Sequence, residues 1–398
     1  MSLLTVCNIK THPGASFFCL PVSNHQPASR LAQNAIGIDR PRLINFINFP
    51  YLCIMITLEQ RIKAFTQLGY ILTDAASPQP SLPEATGLRK LMDRQVNNNK
   101  WFTPASVKLA VEAIGKMLRE DRLREWIKKY TLNDDASNEK TIAVIMAGNI
   151  PLVGFHDFLC VLMSGQKILA RSSSKDSELI RAVADLLAGI EKAFREKISF
   201  TEKIKSSYDA VIATGSDNTS RYFEYYFGRK PHIFRKNRNS VAIIGRDTPG
   251  EDIRNLGIDI FSYFGLGCRN VSKIFIQEGV DPAQIFTEWE DWSSLTDHRP
   301  YANNYLYNKS LFNLNKQSFM DSGFMLFKND TALSSPVAVT YYEFFSERQE
   351  LLHKLEEESG LIQCIVSEND TFFGNTQYPG PGDYADNMDT VEFLNSLQ

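Results

Sequence analysis

The sequence is short of every signal that would take it out of the ordinary globular class. No apolar run reaches the roughly 20 residues of a membrane span. The best, from Leu43 to Ile56, is interrupted by Asn45, Asn48 and Pro50. There is no basic excess: 43 Lys and Arg stand against 46 Asp and Glu, a formal net charge of −3, which argues against nucleic acid or an anionic lipid surface as partner. Cysteine is sparse, with six residues at positions 7, 19, 53, 160, 268 and 364, spaced like neither a disulfide framework nor a zinc site. The expectation is reduced thiols in a cytoplasmic protein, with no metal and no stable membrane insertion. A clean signal-peptide core is also missing, because Lys10, His12 and Pro13 break the first run. Neither an internal repeat nor a low-complexity tract occurs.

What is present begins with length: 398 residues suffice for two domains with separate cores. Residues 1–54 differ from the rest, with only Lys10, Arg30, Asp39, Arg40 and Arg42 charged and no sustained period. They are either upstream of a working start at Met55 or a disordered extension. Thr57 ahead of Glu59-Gln60 reads as a helix cap, and Thr103-Pro104 as another, opening an amphipathic helix through Val107, Ala110, Ile114 and Met117. From residue 141 strands and helices alternate. Strands are expected at 141–147, 167–170, 209–213, 240–244 and 273–277, and helices at 151–164, 177–194, 218–227 and 251–264. Continuous apolar strands separated by helices predict an α/β fold with parallel sheets covered on both faces. The expected domains are a helical lead-in plus dinucleotide-binding domain (55–239), a catalytic domain (240–366) and a C-terminal tail (367–398).

Three segments carry chemistry. Cys268 follows Gly265-Leu266-Gly267 between a helix and a strand, where glycines allow a tight turn and close approach of a ligand. Arg269 adds positive charge that favours the thiolate. The bland alternative is a small buried hydrophobe. Asn149, in Gly148-Asn149-Ile150-Pro151, stands at a strand end and offers an amide as oxyanion donor. A helix cap with Pro151 in the first turn explains the same residues. Thr214-Gly215-Ser216 is a small-residue strand-to-helix turn of the kind that receives a pyrophosphate, though many such turns bind nothing. His156 and His232 flank these segments, but lone histidines are usually core or surface residues. Tyr222, Tyr225 and Tyr226 read as helix packing. Asp383, Asp386 and Asp389 lack the histidine or cysteine a metal site would add.

In order and spacing these pieces resemble the aldehyde dehydrogenase superfamily over residues 105–395. The run from Ala143 to Ser173 resembles its cofactor-domain core. Asn149 falls at the oxyanion amide, Arg171 at the ribose-binding lysine, Thr214-Gly215-Ser216 at a Gly-Ser turn and Gly267-Cys268 at the catalytic cysteine. Two carboxylates of that pattern are missing. The general-base glutamate falls near Arg235, with no acid between Arg229 and Gly245, and the second glutamate near Ala332. Within the superfamily the chain is most similar to the long-chain acyl-CoA reductases of bacterial bioluminescence, whose tail resembles the stretch from Asp383 to Leu394.

The resemblance implies a Rossmann-type cofactor domain beside a second α/β catalytic domain. It implies reduction of an acyl thioester, as acyl-CoA or acyl-carrier protein, to an aldehyde through acyl-Cys268, with Asn149 as oxyanion donor. The cofactor is NADPH, with NADH also accepted, held by Arg171, Ser173, Ser174, Thr214, Gly215 and Ser216. NADPH is favoured because Arg171 to Lys175 carries two cations and no acid. The family suggests a homo-oligomer or an acyl-transferring partner protein. The rival readings are a cofactor-independent thiol acyltransferase or thioesterase using the same cysteine, and a catalytically degenerate binding protein.

Overall fold

The computed structural model describes residues 56–132, 134, 138–205, 207–215 and 217–397. The extension expected at 1–54 and Ser216 lie outside them. Four helices come first: α1 (Leu58–Ala76), α2 (Pro83–Arg94), α3 (Pro104–Met117) and α4 (Glu120–Ile127). Thr57 caps α1 in a reciprocal box with Gln60, and Thr103 caps α3 with Pro104 behind it, as their sequences dictate. Phe65, Leu68 and Leu72 recur on one face of α1 and are wholly buried, each burial stabilising by about 1.5–3 kcal/mol.

A first sheet then forms from β1 (Thr141–Ile145), β2 (Lys167–Arg171), β3 (Ile198–Phe200), β4 (Ala210–Thr214) and β5 (His232–Arg235), linked by α5 (Phe155–Met163), α6 (Glu178–Ile190), α7 (Phe194–Lys197) and α8 (Asp217–Phe227). Its order is β3-β2-β1-β4-β5 and every pairing is parallel. The chain builds outward from β1 in one direction and then returns to start β4 on its other side. The carboxyl ends of β1 and β4 therefore flank a switch point, where open α/β sheets bind ligands.

The second sheet contains β6 (Asn239–Ile244), β7 (Val271–Gln277), β8 (Met320–Asp321), β9 (Leu326–Asn329), β10 (Val339–Phe345) and β11 (Ile362–Val366), in the order β11-β6-β7-β10-β9-β8. It is parallel except for the short β8–β9 pair. Its helices are α9 (Gly250–Phe261), α10 (Pro282–Thr287), α11 (Arg299–Leu314) and α12 (Arg348–Glu357), and α13 (Thr390–Asn395) ends the chain. The strand expected at 141–147 stops at Ile145 and that at 273–277 starts earlier, at Val271.

Three expected helices are shorter: that expected at 177–194 ends at Ile190, where Glu191 is extended (φ −130°), and two more are cut short for identifiable reasons. The helix expected from Pro151 starts only at Phe155, because Leu152 is left-handed (φ 57°) and its N–H goes to Asp176 Oδ2 at 2.7 Å. Asn149 is therefore not a helix cap. The helix expected to reach Phe264 ends at Phe261, since Tyr263 (φ 52°) and Phe264 (φ 60°) turn left-handed. The expected packing of the α8 tyrosines is slight: Tyr222, Tyr225 and Tyr226 are 64–80% exposed, Tyr226 meets the rings of Tyr225 and Phe227, and Phe223 is the buried aromatic of that run.

Candidate active site

The loop between α9 and β7 presents Cys268. Its shape comes from Asn270, 3% exposed. Asn270 Nδ2 donates to Asp259 O (3.0 Å) and Ser262 O (2.8 Å), closing the carbonyl end of α9, while Asn270 Oδ1 accepts the Gly267 N–H at 2.8 Å. Both functions of one buried amide are thus used to hold the turn. A Cβ on Gly267 would lie 3.0 Å from Asn270 Oδ1, so a side chain there would press on the amide that holds the turn. Ser240 Oγ, at the start of β6, donates to Cys268 O at 3.0 Å. Asn270 and Ser240 carry no motif, and sequence reading missed both.

Asn149 is brought to the same loop from the end of β1. Its Nδ2 donates to Leu266 O at 2.9 Å, so one amide hydrogen ties the two turns together and the second is left for a ligand. Gly148 lets the neighbouring β2 turn close in: a Cβ there would meet Ser173 Oγ at 2.5 Å. Asp176, 4% exposed, completes the junction by accepting the Leu152 N–H, and its other oxygen is buried without a partner. Burial pushes its carboxyl pKa up to about 7.

Cys268 is partly buried against a cavity of about 160 Å³ lined by apolar Ile114, Met117, Leu152 and Phe155, with Tyr263 and His156. Asn149 is not in that lining; its neighbour Ile150 is. The positive charge of Arg269 does not decide the state of the thiol. Burial raises the Cys268 pKa and outweighs Arg269, which lowers it, as do the residue's own backbone N–H and Arg235. Arg269 spends one N–H on Asp383 O at 2.7 Å.

The C-terminal segment forms one wall of this cavity. Asp259 accepts from Gly374 N, Thr376 N and Thr376 Oγ1 at 2.7–2.9 Å. His156 Nε2 donates to Pro381 O at 2.9 Å, which leaves Nδ1 facing Cys160 Sγ at 3.9 Å. Burial lowers the His156 pKa, so the ring is neutral and serves as a brace. His232 begins β5, at the sheet end opposite the site, and stacks on Phe234. The three spaced aspartates have separate tasks. Asp383 accepts from Gly380 N, Asp389 caps α13, and Asp386 accepts from Lys236 N at 3.2 Å. Among the described residues no group of His, Cys, Asp and Glu is placed to hold a metal.

Arg235, at the end of β5, is 2% exposed. Its guanidinium meets Asp157 Oδ1 at 2.6 Å, Ala385 O at 2.6 Å and Thr390 Oγ1 at 2.8 Å. Nearby, Asp386 is a carboxylate contributed from far along the chain, invisible to a search of residues 229–245. Its charge reaches Cys268, although it does not line the cavity. The loop that holds Ala332 meets the start of β7, where Ser272 Oγ donates to Leu333 O at 2.7 Å.

At the carboxyl ends of β2 and β4, Arg171 and Ser174 are exposed and Ser173, Thr214 and Gly215 half-buried. Arg171 Nε donates to Glu202 O at 3.1 Å, and among the described residues its guanidinium has no carboxylate partner. The Ser173 turn is closed by the Asp176 N–H on Ser173 O at 3.1 Å. No described helix is long and apolar enough to cross a membrane.

Comparison with solved structures places the fold. A putative aldehyde dehydrogenase from Burkholderia cenocepacia superposes with a TM-score of 0.55 at 14% identity, covering 74% of this chain and 71% of that one. An indole-3-acetaldehyde dehydrogenase in complex with NAD+ gives 0.55 at 12% identity, over 75% and 69%. The aldehyde dehydrogenase KauB from Pseudomonas aeruginosa gives 0.54 at 12% identity, over 75% and 69%. A search of curated proteins by sequence gives no match. The acyl-CoA reductase (LuxC) family matches residues 72–287, more than half of the chain. On these grounds the chain belongs to the acyl-CoA reductase (LuxC) family of oxidoreductases, built on the aldehyde dehydrogenase fold.

Proposed function

We propose that the chain reduces an acyl thioester, carried on CoA or on a carrier protein, to an aldehyde through an acyl-Cys268 intermediate. The observation that carries this reading is the pairing of an apolar cavity at Cys268 with a buried Arg235–Asp157 ion pair where the wider fold family resemblance puts a water-activating glutamate. The Cys268 sulfur attacks the thioester carbonyl, the carbon–sulfur bond to the carrier breaks, and the carrier thiol leaves. Arg269 and the Cys268 N–H favour the attacking thiolate against burial. The free amide hydrogen of Asn149 and the Cys268 N–H are the donors for the oxyanion, each worth about 10²–10³ in rate. A reduced nicotinamide, when bound, supplies the hydride that converts acyl-Cys268 to aldehyde and free thiolate. Arg171, Ser173, Ser174, Thr214 and Gly215 would hold it, a reading supported by their location at strand ends of the kind suited to a diphosphate. The unpaired Arg171 and the exposed Lys175 favour NADPH over NADH by attracting a 2′-phosphate.

The test follows the absorbance of NADPH and NADH with a panel of acyl-CoAs and acyl-carrier proteins. Aldehyde should appear in step with NADPH oxidation, and Cys268→Ala should abolish it. Release of free acid without cofactor would favour a thioesterase instead.

A further inference from the structure

Beside the Cys268 cavity lies a second cavity of about 690 Å³, and the two share Arg269, Pro379 and Asp383 in their walls. Their chemistry differs. The first is apolar, whereas the second is faced by Tyr130, Thr371, Asn375 and Asn387, with Lys129 at its edge. Building on the thioester reading above, we propose that this second cleft binds the 4′-phosphopantetheine arm of the substrate.

An acyl thioester has two unlike halves. A cavity of about 160 Å³ is close to the roughly 150 Å³ that takes up a benzene ring, a size that suits the carbonyl end of an acyl chain but not that chain and the arm together. The arm carries two amides and a phosphate, and it must leave Cys268 past the shared wall. Arg269 stands in that wall, next to the nucleophile in the chain. After its one bond to Asp383 O it retains further N–H donors, and among the described residues no carboxylate pairs with it. Those donors suit amide carbonyls. Lys129 is exposed and likewise unpaired among the described residues, and an ammonium there suits a phosphate. Of the acids facing the cleft, Asp370 accepts from Ser367 Oγ, Asp383 from Gly380 N, and Asp389 from Glu392 N and Tyr130 OH. Such bonds do not cancel a carboxylate's charge, so the phosphate belongs at the Lys129 edge of the cleft and the amides beside Arg269.

Calorimetric titration of the full chain with 4′-phosphopantetheine and with pantetheine tests the cleft without relying on turnover. Arg269→Ala should weaken binding of both probes at least tenfold. Lys129→Glu should weaken 4′-phosphopantetheine at least fivefold and pantetheine less than twofold. Failure of either probe to bind, or equal affinities in wild type and both variants, would overturn the proposal. CoA and a holo-acyl-carrier protein share this arm, and in parallel titrations the tighter binder identifies the source. If the probes bind as expected while no acyl thioester is reduced, the cleft stands and the reductase reading fails.

Discussion

Arg235 Nη2 lies 2.6 Å from Asp157 Oδ1, with both side chains almost fully buried. This pair ties β5 to α5, and through Ala385 O and Thr390 it also anchors the C-terminal segment that walls the Cys268 cavity. On the resemblance drawn from the sequence, a permanently protonated group stands in the neighbourhood where a water-activating glutamate is expected. Structure and the proposed chemistry are coupled here: on the reading proposed above, the same cation that holds the tail in place would leave an acyl-Cys268 without a proton acceptor at that position.

Removing one member of that pair strands the other. Arg235→Met should cost about 3–5 kcal/mol of stability, because a buried carboxylate is left uncompensated. The double variant Arg235→Met with Asp157→Asn should recover part of the loss. Urea unfolding monitored by circular dichroism measures both. A loss below about 1 kcal/mol in the single variant would mean that the pair does not anchor the tail.

Asp176 gives stability a pH dependence. Its folded pKa of about 7 lies above the ordinary carboxyl value of about 3.9. Its contribution is therefore fully present below about pH 4 and is lost as the pH rises through 7. Asp176→Asn keeps an acceptor for the Leu152 N–H and removes the buried charge. It should be more stable than wild type at pH 8, by about 1–3 kcal/mol, with the advantage shrinking toward pH 5. Melting temperatures across that range check it. An equal shift at every pH would contradict the assignment.

The Cys268 thiol should titrate above a free cysteine, because burial outweighs Arg269. Alkylation of the Cys268 peptide, followed by mass spectrometry across pH, should inflect at higher pH than a small thiol in the same tubes. Arg269→Gln should move the inflection further up. An inflection below the small thiol would mean that the cation dominates after all.

Much of this architecture was legible in the chain. The runs that follow Thr141, Lys167, Asp209 and Ser240 are apolar throughout, the pattern of buried parallel strands. Thr57 and Thr103 announce their helices through local side-chain bonds. The misreadings have a common cause in long-range bonds. Asp176 captures Leu152 N from 24 residues away and delays α5. Asn270 reaches back to Asp259 O and Ser262 O and shapes the cysteine turn. Asp386 arrives beside Lys236 across 150 residues. Cys268, Asn149 and the β2 and β4 turns could be picked out from local pattern, but the braces around them could not. Their partners are set by the fold and not by neighbouring sequence.

The most direct test of the covalent reading is to mix the full chain with one equivalent of acyl-CoA, without reductant, and weigh the intact protein. The expected result is a mass increase of one acyl group, mapped to Cys268, stable for minutes and discharged as aldehyde on adding NADPH. Water attack without a positioned base lacks the roughly 10²–10⁴ that general-base catalysis supplies, so the adduct should outlast turnover. Absence of any adduct, or its rapid loss as free fatty acid before NADPH is added, would contradict it and point to another group, with Asp386 the first to examine, as the activator of water.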